Sequence, residues 1–107
     1  MITVCFFQKK ALLTGFSSKG HAGYADPGQD IVCAAVSALV INTVNSIEAL
    51  TDCRFLEEVS EDGGYLRFFL DDDREEGQLL LNSLKLGLMN IREEYGPSFL
   101  KIELRNP

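Results

Sequence analysis

Apolar residues fall along the chain in five strand-like runs and two helix-like ones. ITVCFF (2–7) and ALLTGF (11–16) are rich in β-branched and aromatic residues, and Gln8-Lys9-Lys10 between them predicts a turn. Residues 31–50 contain no Gly or Pro, and Ile31, Ala35 and Leu39, with Val36, Val40, Thr43 and Ile47, recur at helical spacing. The length of this run decides for a helix over a buried strand, and Asp30 stands where an N-cap belongs. Residues 53–59 and 65–70 flank Ser60-Glu61-Asp62-Gly63-Gly64, which predicts a hairpin. A second helix is predicted over about residues 74–95, with Asp71, Asp72 and Asp73 near its start and Gly96-Pro97 at its stop. Leu80, Leu81, Leu84, Leu88, Met89 and Ile91 suit its buried side, and residues 98–104 alternate as a last strand.

The order is therefore ββαββαβ. It predicts an α+β two-layer sandwich, a mixed sheet with two helices packed on one face. Ala34, Ala35 and Ala38 would let the first helix lie close to its neighbours. The 107 residues suit one domain, residues 1–107, with one core. No apolar run reads as reaching the roughly 20 residues of a membrane span. The lysines of MITVCFFQKK follow the apolar stretch, the reverse of a signal peptide. The expected location is the cytoplasm, with no membrane contact.

Charge and cysteine count narrow the chemistry. The net charge of −6 argues against direct nucleic-acid binding, which needs clustered Lys and Arg. It suits a positively charged partner, or simply keeps the protein soluble. Three cysteines, Cys5, Cys33 and Cys53, form no CxxC pair, and His21 is the only histidine. A disulfide framework and a structural zinc site are both disfavoured. Cys5 and Cys53 sit in strand-like runs and read as inert core residues.

The remaining chemistry lies in SSKGHAGYADPGQD, a glycine-bearing loop over residues 17–30, and in the helix start behind it. The loop holds His21, and Cys33 falls in the first turn of the helix. A thiolate is the nucleophilic form of cysteine, and the unsatisfied amides of a helix N-terminus favour negative charge by about 0.3–1 kcal/mol. A neighbouring histidine adds more, and first-turn amides could donate to an oxyanion. The same residues also fit a small buried cysteine and a surface histidine. Asp30 either caps the helix or orients His21. Ser37 lies one turn after Cys33 and either lines the pocket or bonds a backbone carbonyl. Gly20, Gly23 and Gly28 could let the loop close over a substrate, or serve turn geometry alone. Tyr24 and Pro27 could touch substrate or pack within the loop.

The block GHAGYADPGQDIVCAAVSAL resembles the signature of the ribosomal-processing cysteine protease family, Prp: Gly-His-Ala, a glycine-bearing loop, then Gly-x-Asp-Ile-Val-Cys-Ala-Ala-Val-Ser. Gly20, His21, Ala22, Gly28 and Asp30 match it, as does the run from Ile31 to Ser37. The resemblance implies a cysteine peptidase with a Cys–His dyad, which falls on Cys33 and His21, in a homodimer without metal or cofactor. It implies as substrate the precursor of large-subunit ribosomal protein twenty-seven, cut after a pair of aromatic residues. The alternative from another class is a non-catalytic binding module whose acidic surface, Asp71–Asp73, Glu75, Glu76, Glu93 and Glu94, meets a basic ribosomal protein. A redox thiol acting through Cys33 alone would lack a resolving cysteine.

Overall fold

The computed structural model describes residues 1–26, 29–61 and 64–106. It has strands β1 (Ile2–Lys9) and β2 (Leu12–Lys19), helix α1 (Ile31–Leu50), strands β3 (Phe55–Val59) and β4 (Tyr65–Leu70), helix α2 (Glu75–Tyr95) and strand β5 (Leu100–Arg105). The sheet order is β3-β4-β2-β1-β5, with β1–β5 parallel and the other neighbours antiparallel. This is the predicted ββαββαβ mixed sheet.

Alternation along the strands sends one set of side chains toward the helices. Phe6, Phe16, Phe68 and Phe55, one from each of four strands, form a row of ring contacts with centroids 5.1–6.0 Å apart. Phe6, Phe16 and Phe68 are fully buried, each stabilising by about 1.5–3 kcal/mol through burial. From above, α1 contributes Val32, Val36, Val40, Val44 and Ile47, and α2 contributes Leu81, Leu84 and Leu88. The buried stripe of α1 thus starts at Val32. Ile31, assigned to a periodic row by the sequence pattern, is 49 % exposed. Met89 likewise faces outward, because the α2 stripe runs through 81, 84 and 88 and leaves 89 a quarter-turn away.

Helix α1 is long and apolar enough to cross a membrane, with a mean hydropathy of 1.6, contrary to the sequence expectation. Part of that apolarity, the row Val32, Val36, Val40, Val44 and Ile47, is buried in the core, while Ile31, Ile41 and Leu50 remain exposed. Its N-terminus is capped as predicted: Asp30 is extended (φ −80°, ψ 97°) and its Oδ1 accepts the Cys33 N–H at 3.0 Å. Helix α2 starts without a side-chain cap; Arg74 holds the N-cap position, and Glu75 and Glu76 supply the acid of the first turn. Asp72 accepts from the amides of Arg54 and Arg74 instead, so it ties the segment before β3 to that before α2. Gly96 ends α2 at φ 98°. Near the start of β2, past the last β2–β4 pair (Gly15↔Phe69), Gln78 of α2 bonds both the N–H (2.8 Å) and the C=O (2.6 Å) of Leu13.

Several boundaries moved. The first hairpin turns at Lys10 and Ala11, whose φ values of 51° and 67° give the strand-matched twist of a two-residue turn. Strand β2 runs on through Ser17, Ser18 and Lys19, because β1 pairs them on one side and β4 on the other; the loop therefore begins at Gly20. Strands β3 and β5 each start two residues later than predicted. At the end of β5, Leu104 is 50 % exposed. Pro27, Gly28, Asp62 and Gly63 lie outside the described residues. Cys53 joins the core as expected, just before β3, but Cys5 is buried on the opposite face of the sheet, where burial pushes its thiol up.

Candidate active site

The sequence places a short loop directly between the end of β2 and the cap of α1, so its residues must pass over the helix N-terminus. Gly20 starts the loop at φ +92°, and its N–H donates to the carbonyl of Gly64 in the β3–β4 hairpin at 3.1 Å. Two residues later the N–H of Ala22, itself buried, donates to Cys33 Sγ at 3.0 Å. Gly23 turns the chain at φ +73°. The N–H of Tyr24 donates to Asp30 Oδ2 at 3.0 Å. The Tyr24 ring meets Tyr95 and Phe99 edge-on, with centroids 5.7 and 5.1 Å apart. The loop is thereby fastened at three points: the hairpin, the helix cap, and the aromatic pair flanking the end of α2.

Asp30 uses both carboxylate oxygens on backbone amides. The hydrogen bond from Cys33 N–H, and after it that from Tyr24 N–H, holds its carboxyl below the usual range. Capping and loop tethering account for this side chain. The amide of Cys33 is committed to the cap and that of Ala34 to the Asp30 carbonyl at 3.1 Å. Neither of these two amides is therefore free to donate to an oxyanion. The donor that faces the sulfur comes from Ala22, whose side chain carries no chemistry. Sequence reasoning has no signal for a backbone group of this kind.

Cys33 lies between two depressions. One, about 370 Å³, runs from His21 and Cys33 along α1 toward the β3–β4 hairpin. Cys33, Ser37, Ile41 and Asn45, each four residues apart, line its helix side, while Val59 and Leu66 line the sheet side. The other, about 650 Å³, lies over the loop and is bounded by His21, Gly23, Asp30, Cys33 and Ser37. His21 is exposed and borders both. The structure therefore gathers His21, Cys33, Asp30, Ser37, Gly20 and Gly23 at one place, with Tyr24 packed against Tyr95 and Phe99. The apolar groove beyond Ser37 was missed; the i+4 row from Cys33 to Asn45 was its legible sign.

A family model described as cysteine protease Prp matches residues 1–99. Ribosomal processing cysteine protease Prp of Bacillus subtilis is 38 % identical over 88 residues, 78 % of this chain and 79 % of that protein. Its Staphylococcus aureus counterpart is 38 % identical over 77 residues, 71 % and 73 % of the two chains. A crystal structure of the S. aureus protease with a covalently linked product peptide superposes with a TM-score of 0.94 at 32 % identity, over 98 % of this chain and 100 % of that one. A second S. aureus structure, with a substrate peptide, gives 0.82 at 32 % identity, covering 100 % of both chains. With a Cys-bearing helix start, a histidine loop and these relatives, the chain belongs to the ribosomal processing cysteine protease family, Prp.

Proposed function

We propose that this protein is the endopeptidase that trims the N-terminal extension of large-subunit ribosomal protein twenty-seven, with Cys33 as nucleophile and His21 as its base. The observation that carries the reading is the Ala22 N–H on Cys33 Sγ, 3.0 Å away, at a groove that both Cys33 and His21 border. His21 takes the thiol proton, and Sγ attacks the scissile carbonyl carbon. Once Sγ is bonded to carbon, the Ala22 amide is free to donate to the neighbouring oxyanion. His21 returns its proton to the leaving amine; water then adds to the acyl carbon, freeing the sulfur. The groove beside α1 takes the aromatic pair that precedes the cut, since Val36, Val40, Ile41, Val44, Val59 and Leu66 make its wall apolar. The depression over the loop takes the chain after the cut.

Three free thiols fit a reducing cytoplasm. The outward leucines of α2, Leu79 (71 % exposed) and Leu86 (62 %), one heptad apart, supply apolar surface for the homodimer. Sedimentation at micromolar concentration tests it.

The decisive experiment incubates the ribosomal protein precursor with the protein and weighs the products. Cys33→Ala and Cys33→Ser are expected to fold and to leave the precursor intact. His21→Ala should lower cleavage by about 100-fold or more while changing stability by about 0.5 kcal/mol or less, as for an exposed side chain. Wild-type turnover by folded Cys33→Ala would remove the nucleophile assignment.

A further inference from the structure

The net charge of −6 is not spread evenly. The sheet has a second face, away from the helices, crossed by a shallow groove of about 530 Å³. Among the described residues, Lys19, Arg67, Lys101 and Arg105 line that groove, with Glu103 as the one carboxylate in its lining. Four cations against Glu103 and the neighbouring Glu58 of β3, which pairs with Arg67 on the same face, make these face residues +2, which leaves −8 for the rest of the molecule. Glu103 is itself bridged by Lys101 (3.1 Å) and Arg105 (2.9 Å).

Strand register orders this face into three rows crossing β4, β2, β1 and β5, and the edge strand β3 adds Glu58 beside Arg67 and Leu56 beside Phe69. Tyr65, Lys19, Thr3 and Lys101 form the first; Arg67, Ser17, Cys5 and Glu103 the second; Phe69, Gly15, Phe7 and Arg105 the third. Both outer rows carry an aromatic ring on β4 and a cation on β5. In the third row, Gly15 has no Cβ between its neighbours, and Phe7 and Phe69 stack across it with centroids 5.3 Å apart. The Arg67 guanidinium lies 4.9 Å over the Phe69 ring. Hydroxyls of Thr3 and Ser17 occupy the middle. Each row is about 14 Å wide, three strand spacings.

Rings for stacking, cations for phosphates and hydroxyls for a 2′-OH are the requirements of a sheet that reads single-stranded RNA. An acidic peptide would use the cations and leave the rings idle. A second copy docked face to face would set +2 against +2, which opposes association. We infer that this helix-free face binds single-stranded RNA, with Tyr65 and the Phe7–Phe69 pair as stacking surfaces and Lys19, Arg67, Lys101 and Arg105 on the phosphates. The overall acidity argued against any nucleic-acid contact; folding sorts the charge so that one face escapes that argument.

The test is fluorescence anisotropy of a labelled twelve-residue oligouridylate with the full chain, at 50 and 200 mM salt. If all four cations engage phosphates, affinity should fall by about 50-fold between the two salts, from a slope of about −0.7 per phosphate. Arg67→Ala with Lys101→Ala, both exposed positions, should reduce that loss to about 7-fold and weaken binding at 50 mM salt. Cys33→Ala should bind as the wild type does, which separates this face from the peptidase reading. Four outcomes would overturn the inference. They are no binding at 50 mM salt, affinity indifferent to the double substitution, equally tight binding of oligothymidylate or oligoglutamate, and a dimer that the double substitution dissociates.

Discussion

Two glycines of the loop that carries His21 allow the contribution of one backbone contact to be isolated. Gly20 and Gly23 both have left-handed φ, +92° and +73°. A Cβ at Gly23 would meet nothing within 4 Å, whereas one at Gly20 would lie 2.5 Å from the Met1 carbonyl oxygen. Alanine in a left-handed conformation costs about 1–2 kcal/mol. A less flexible unfolded chain offsets about 0.4–1 kcal/mol of that. Gly23→Ala should therefore lose about 1 kcal/mol, or about 4–8 °C in Tm. Gly20→Ala carries the same strain and must also open its contact by roughly 1 Å to reach ordinary packing distance, at about 1–3 kcal/mol more. The Met1–Ile2 peptide cannot simply drift away, because the Ile2 N–H is bonded to the Phe99 carbonyl at 3.0 Å. The total is about 2–4 kcal/mol, a fall of about 10–25 °C. A shift of that size one residue from His21 and two from the Ala22 amide should cost about 100-fold in kcat/KM. Scanning fluorimetry and cleavage of an aromatic-pair peptide measure both. Equal Tm losses in the two variants would refute the contact argument.

Other substitutions probe the cap, the groove and the core. The Asp30 carboxylate is held low by amides available only in the folded chain. Its stabilisation is complete above its ordinary value of 3.8 and is lost as pH falls through the lower folded value. Asp30→Asn should flatten the acid limb of a Tm-against-pH curve, and an unchanged limb would contradict the assignment. Ile41, 54 % exposed in the apolar groove, should tolerate Ile41→Lys within about 0.5 kcal/mol of stability. The same change should cut kcat/KM for an aromatic-pair peptide about 10-fold, or about 1.4 kcal/mol; unchanged kinetics would move the aromatic subsite elsewhere. Leu88→Ala empties a fully buried position of α2 and should cost about 2–5 kcal/mol in urea unfolding.

The sequence by itself determined the element order, the capped start of α1 and the pairing of a histidine loop with a helix-terminal cysteine. These are local matters: periodicity, side-chain shape and the cap at Asp30 act within a few residues. It also carried the family, because the block from Gly20 to Ser37 is contiguous. The same local reasoning misplaced Ile31 and Met89, since a helix's buried arc is chosen by the surface it meets. It ended β2 too early, because Ser17 to Lys19 become a strand only when β1 and β4 pair them from both sides. Tertiary structure alone decided that the donor to Cys33 is the Ala22 backbone, that Tyr24 is pinned by Tyr95 and Phe99, and that Asp30 spends both oxygens on amides. It also drew Lys19, Arg67, Lys101 and Arg105, scattered over 87 positions in an acidic chain, onto one face. Composition sums charge over the whole chain, but a partner meets only the face presented to it, and that face is set by which strands lie side by side.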